Sequence, residues 1–185
     1  MKLAVKKRVD ETKKDVKDIR RKGDVPAIIY CSKTQPEKLV VNGEEFRAIL
    51  RNLKPGQLPT TVFTLSDGAK ERKAIIKDIQ YQTTTYIVTH IDFVELMDDV
   101  TVSVKVPVNC TGAMECQGIK LGGFLRQVAR HVKVECLPKD IPAEFIVDVR
   151  DLGIRQSKRM RDIPLPTGVK ALARPEEVLV VIAKR

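Results

Sequence analysis

Residues 60–96 read TTVFTLSDGAKERKAIIKDIQYQTTTYIVTHIDFVEL. Two apolar-rich runs, Thr60–Leu65 and Glu71–Gln80, flank Ser66-Asp67-Gly68-Ala69, the turn chemistry of a β-hairpin. Tyr86–Leu96 follows as a further strand. Alternate residues of a strand share a face, so Ile91 and Phe93 are expected in a core while His90 and Asp92 point the other way. By the same alternation Asp78 and Gln80 oppose Lys77 and Ile79. If the two strands are neighbours, one sheet face displays Asp78, Gln80, His90 and Asp92.

Upstream of this stretch, short strands are expected at residues 2–9, Val25–Tyr30 and Lys38–Val41, with a turn at 32–36. A brief basic helix spans Asp15–Lys22 and stops at Gly23. Residues 43–53 form the clearest helix: Asn42 caps it, Glu44 and Glu45 suit its first turn, and Pro55-Gly56 lies beyond its end. Phe46, Ile49, Leu50 and Leu53 make one apolar stripe at i, i+3, i+4 and i+7. Five or six strands with one or two short helices predict a small, partly closed β-barrel over residues 1–95. Downstream, Val100, Val102, Val104 and Val106 alternate with polar residues, and further strands are expected at Gly118–Leu125, His131–Glu135, Phe145–Val149, Val169–Ala173 and Val178–Ala183. The fold class is therefore mainly β, with residues 96–185 as a second, all-β domain.

The 185 residues include 34 Lys+Arg and 24 Asp+Glu, a net charge of +10. Residues 1–22 carry ten Lys+Arg against four Asp+Glu, so this short segment alone is +6. A second basic cluster is Arg155, Lys158, Arg159 and Arg161. Concentrated positive charge is the footprint of a polyphosphate partner, although a solvated charged face has the same composition. No apolar run approaches the ~18 residues of a membrane-spanning helix, and the N-terminal stretch lacks the apolar segment of a secretory signal. The reducing cytosol is the expected compartment, with Cys31, Cys110, Cys116 and Cys136 as thiols.

Catalytic patterns are scarce. The chain holds two histidines, His90 and His131, and lacks a phosphate-cradling glycine loop, an H-E-x-x-H pair and a nucleophile elbow. Gly118-Ile-Lys-Leu-Gly122-Gly123 reads as a turn or bulge. Cys110, Cys116, His131 and Cys136 are metal-ligand types at a spacing that fits no common zinc knuckle, and core packing is the simpler role. On the face of Asp78, Gln80, His90 and Asp92, carboxylates suit the amino groups of guanine and cytosine and Gln can both donate and accept. A salt-bridged outer face is the alternative.

Three segments in order, Ile19-Arg-Arg-Lys-Gly-Asp-Val-Pro-Ala-Ile-Ile-Tyr30, Lys77-Asp-Ile-Gln80 and His90-Ile-Asp-Phe-Val94, resemble the bacterial large-subunit ribosomal protein L twenty-five family. Val106-Pro-Val, Gly122-Gly-Phe-Leu125, Glu135-Cys-Leu-Pro138, Ile141-Pro142 and Val147-Asp-Val149 extend the resemblance to its longer two-domain version, the general stress protein CTC type. The resemblance implies a cytoplasmic, non-enzymatic ribosomal protein that binds 5S rRNA through its N-terminal barrel. Its second domain would pack nearby, among neighbouring large-subunit components. It also implies a monomer within the ribosome that needs no cofactor, metal, membrane or small-molecule substrate. Carried onto this chain, Arg8, Lys13 and Arg20 would hold phosphates. Arg21 belongs to the same basic run, and Lys14 and Lys17 stand where relatives carry Gly and Ser. Tyr30 would meet the RNA through its hydroxyl, while Lys77, Asp78, Gln80, His90 and Asp92 complete the contact set. Two other readings are a stress-related adaptor whose second domain binds proteins, and a small hydrolase built on His90, Asp92 and a Cys.

Overall fold

The computed structural model describes residues 1–8, 12–31, 34–68 and 70–184. Val9, Asp10 and Glu11 of the basic lead-in, Ser32 and Lys33 of the expected turn, and Ala69 of the hairpin signal lie outside the described residues.

The first half alternates short strands with two helices: β1 (Lys2–Lys7), α1 (Lys13–Arg21), β2 (Val25–Cys31), β3 (Thr34–Val41), α2 (Gly43–Asn52), β4 (Val62–Ser66), β5 (Glu71–Tyr81) and β6 (Val88–Glu95). The strands close into a barrel in the order β1-β3-β2-β6-β5-β4. Closure corrects the expectation of a partly closed barrel. It comes from a parallel pairing of β1 with β4, Lys2 opposite Thr64 and Leu3 opposite Leu65, which leaves no edge strand exposed. A second parallel pair joins β2 to β6. Inward-facing Leu3, Val5, Ala27, Ile29, Leu39, Val41, Phe63, Leu65, Ile76, Ile91 and Phe93 fill the interior. Phe63 meets Phe93 edge to face, with ring centroids 6.3 Å apart, the arrangement that aromatic quadrupoles favour.

Both helices begin where side chains satisfy the first backbone N–H groups. Asn42 Oδ1 accepts from Glu44 N at 2.9 Å and Glu45 N at 3.2 Å. The apolar stripe of α2 then turns inward: Phe46 is buried, and Ile49, Leu50 and Leu53 pack against the same core. Helix α1 starts earlier than expected because Thr12 and Asp15 form a capping box. It ends at Gly23, whose φ of +89° favours glycine. Gly43 is required by close approach: a Cβ there would lie 1.9 Å from the Gly23 carbonyl oxygen.

The chain divides into two compact units, Met1–Val100 and Thr101–Arg185. In the second, β7 (Val102–Thr111), the helical turn α3 (Gln117–Lys120), β8 (Gly123–Gln127), β9 (His131–Cys136), β10 (Phe145–Asp148), β11 (Ser157–Arg159), β12 (Lys170–Ala171) and β13 (Val178–Lys184) follow in order. They form a four-stranded sheet, β10-β7-β9-β12, and a three-stranded sheet, β11-β13-β8. The strand expected over Gly118–Leu125 is corrected. Residues 117–120 turn helically and the strand begins only at Gly123, after Gly122 takes a φ of +89°. Tight packing demands small residues here, since a Cβ on Gly118 would lie 2.9 Å from both the Leu152 oxygen and Ile182 Cγ2. Among the described residues no helix is long and apolar enough to cross a membrane.

Candidate nucleic-acid interface

The site lies on the outer face of β5 and β6, which are antiparallel neighbours. Asp78 opposes Asp92, Ile79 opposes Ile91, and Gln80 opposes His90. The isoleucines point into the barrel and the four polar residues point out. This arrangement depends on a bulge. Ala74 and Ile76 face the core, so strict alternation would carry Asp78 and Gln80 inward as well. Instead the register steps from Ile76 opposite Phe93 to Asp78 opposite Asp92. Lys77 and Asp78 together oppose one residue, and the extra position resets the parity of the strand. Lys77 is thus corrected from the inner face to the exposed surface.

A second bulge at Thr89 links this wall to α1. The register steps from Gln80 opposite His90 to Tyr81 opposite Val88. The Thr89 hydroxyl donates to the Gln80 carbonyl at 3.1 Å, and the Thr89 carbonyl accepts from Arg20 Nε at 3.1 Å. Arg20 therefore docks the helix onto β6 through its Nε. Thr89 was missed in the sequence because its part is played by a backbone carbonyl, which leaves no signature in residue type.

Helix α1 buries none of its residues completely. Val16 and Ile19 are half-buried, while Lys13, Lys14, Lys17, Arg20 and Arg21 are exposed. Lys13, Lys17 and Arg20 fall at i, i+4 and i+7 and share a face. Arg21 also reaches Asp18 at 3.2 Å, a surface pair of little energetic weight. Arg8 stands apart from the wall. Its N–H donates to the Lys38 carbonyl at 2.9 Å, and β3 and β2 intervene between β1 and β6. At ~4.8 Å per strand, that places Arg8 about 14 Å around the barrel from Asp92.

Electrostatically the wall is an acceptor surface beside a cationic helix. His90 Nδ1 lies 2.7 Å from Asp92 Oδ1, but the geometry is not that of an aimed hydrogen bond, so the two groups are close neighbours on the face. On β2, Ile28 sits level with Asp92 and Tyr30 with Val94. Partial burial, then the negative charges of Asp92 and Asp78, push the Tyr30 hydroxyl above its usual range, so it keeps its proton and remains a donor. One face thus combines two carboxylates, an imidazole, an amide and a phenol, with guanidinium and ammonium groups alongside.

The remaining candidates separate from this site. In the second unit, Arg159 and Arg161 both pair with Glu176, and Arg161 also with Asp162 at 3.8 Å. Two of the four cations of the second basic cluster are therefore paired within the fold. Cys116 is buried and donates its thiol to the Leu152 carbonyl at 3.3 Å, and burial pushes the Cys110 and Cys136 thiols up. Among the described residues no three His, Cys, Asp or Glu side chains converge as a metal set.

Comparison with known proteins agrees along the whole chain. Residues 3–93 match the family described as the Ribosomal L25p family, and residues 101–185 match that described as Ribosomal protein TL5, C-terminal domain. The large ribosomal subunit proteins bL25 of Chlamydia muridarum and of Chlamydia trachomatis serovar L2 are each 42% identical to this chain over 185 residues. That of Chlamydia pneumoniae is 41% identical, and in all three the match covers 100% of both sequences. Full-length identity at this level, with two family matches in the same order as the two units, means that the chain belongs to the ribosomal L25p family.

Proposed function

We propose that the chain binds 5S rRNA in the large ribosomal subunit through residues 1–95, while residues 96–185 pack against neighbouring components. Family membership makes it a ribosomal, rRNA-associated protein of the bacterial cytoplasm, and the family is non-enzymatic in general. The observation that carries the finer reading is the Arg20–Thr89 link, which sets a cationic helix beside an outward wall of base-reading groups.

On this reading Lys13, Lys14, Lys17, Arg20 and Arg21 neutralise phosphates along one side of a groove, with Arg8 reaching the backbone further around the barrel. Asp78 and Asp92 accept from exocyclic amino groups or 2′-hydroxyls, Gln80 and His90 complete the edge contacts, Tyr30 donates from its hydroxyl, and Lys77 offsets the paired acids. One monomer carries the whole contact set, and the chemistry calls for no cofactor.

The test compares binding of the full chain to 5S rRNA and to an unrelated RNA duplex at moderate salt. The native chain is expected to prefer 5S rRNA. Asp92→Ala or His90→Ala should erode that preference by ~1–3 kcal/mol for each lost base contact. Equal affinity of the native chain for both RNAs would overturn the proposal.

A further inference from the structure

The chain is poor in aromatic residues, with five Phe, three Tyr and no Trp. In the first unit Tyr30 is half-buried on the wall, and the other rings are sorted sharply. Phe46, Phe63 and Phe93 are wholly buried, whereas Tyr81 is 48% exposed and Tyr86 79% exposed. Both tyrosines sit on the hairpin that joins β5 to β6, with Ile87, itself 51% exposed, beside them. This hairpin is built rather than loose. Gln82 N donates to the Ile87 carbonyl at 2.8 Å and Tyr86 N to the Gln82 carbonyl at 2.9 Å, and Thr85 Oγ1 donates to Gln82 Oε1 at 2.9 Å.

Tyr86 is held at a φ of +54°, a left-handed conformation that glycine or asparagine adopts far more readily than a bulky side chain. Local stability thus offers no reason for a ring at this position. Location offers one. Gln80 precedes Tyr81 directly, and His90 is four residues beyond Tyr86. Residues 80–90 contain no acidic side chain to repel a phosphate. The apolar patch amounts to three side chains, far below the ~20–30 residues a side of a stable protein–protein interface. It matches the face of a single base, which stacks on an aromatic ring whatever its identity.

We infer that Tyr86, flanked by Tyr81 and Ile87, is a stacking platform for one unpaired nucleotide of the bound RNA, extending the contact beyond the polar wall. The inference rests on the RNA-binding reading of that wall. It makes a prediction the wall does not: part of the affinity is non-electrostatic and comes from the hairpin tip.

The experiment titrates full-length bacterial 5S rRNA with the full chain and two variants, Tyr86→Gly and Tyr86→Phe, over a range of salt. Glycine suits the backbone at this position, so Tyr86→Gly removes the ring without disturbing the hairpin. The expected result is binding roughly five- to a hundred-fold weaker for Tyr86→Gly at every salt concentration. The slope of log affinity against log salt should be unchanged, and Tyr86→Phe should bind like the native chain. With no Trp present, tyrosine emission reports stacking directly, and the quenching on binding should shrink in Tyr86→Gly. Affinity of Tyr86→Gly within twofold of native, or a changed slope, overturns the inference. So does a cross-link from position 86 to a polypeptide in intact large subunits. Should the native chain prefer 5S rRNA while Tyr86→Gly is indistinguishable from it, only the platform fails; should the native chain show no preference, the reading of the wall has failed first.

Discussion

Replacing Lys13 and Lys17 together with Gln tests whether α1 is a phosphate clamp. Lys13, Lys17, Arg20 and Arg21 are exposed cations at i, i+4, i+7 and i+8, and one helix face can present all four to a single backbone. With ~0.9 of a counterion released per neutralised phosphate, these four contacts contribute about −3.6 to the slope of log affinity against log salt. Through them alone a fourfold rise in salt weakens binding by roughly 150-fold. The double substitution should make the slope shallower by about 1.8 and the chain markedly less salt-sensitive. Loss of structure would not account for such a result. Lys13 stands in the first turn of the helix, where the macrodipole disfavours positive charge, so its removal stabilises α1 by ~0.3–1 kcal/mol. Fluorescence anisotropy with end-labelled 5S rRNA from low to moderate salt measures the slope, and circular dichroism checks the fold. Weakened binding with the native slope retained would refute the clamp.

Two further outcomes test the packing and the charge network. Gly43→Ala should destabilise the first unit by more than ~1 kcal/mol in denaturant unfolding, because its Cβ meets a backbone oxygen that cannot rotate away; native-like stability would show that α2 does not press on the Gly23 turn as described. In the second unit, hydrogen bonds from Arg150 hold the Asp148 carboxyl at about 2, against an ordinary value of 3.8. A depressed folded-state value means that the stabilisation is present above pH 3.8 and lost as pH falls towards 2. Arg150→Gln should return the Asp148 titration, followed by carboxyl NMR, towards 3.8, and an unmoved titration would refute Arg150 as the cause.

Local signals in the chain were legible wherever neighbouring residues set the structure. The cap at Asn42 and the stripe from Phe46 to Leu53 specify α2, and period-two runs locate most strands. The face shared by His90 and Asp92 follows from spacing within one short segment. Misreadings arose where residues distant in sequence meet. The helical turn at Gln117–Lys120 is shaped by contact of Gly118 with Leu152 and Ile182. Within the basic run 155–161, Glu176 pairs with Arg159 and Arg161, a contact across sequence that the run alone does not reveal.

Residue chemistry alone thus settled the mainly β class, the α2 helix, the cationic lead-in and the identity of the polar groups, since each follows from composition or from short-range periodicity. The closure of the barrel, the outward position of Lys77, and the docking of α1 came from folding in three dimensions. They depend on β1 meeting β4, on one extra residue at Lys77 and on a carbonyl turned out at Thr89. Pairing register is a relation between strands, and a bulge resets side-chain parity without changing the composition of either one.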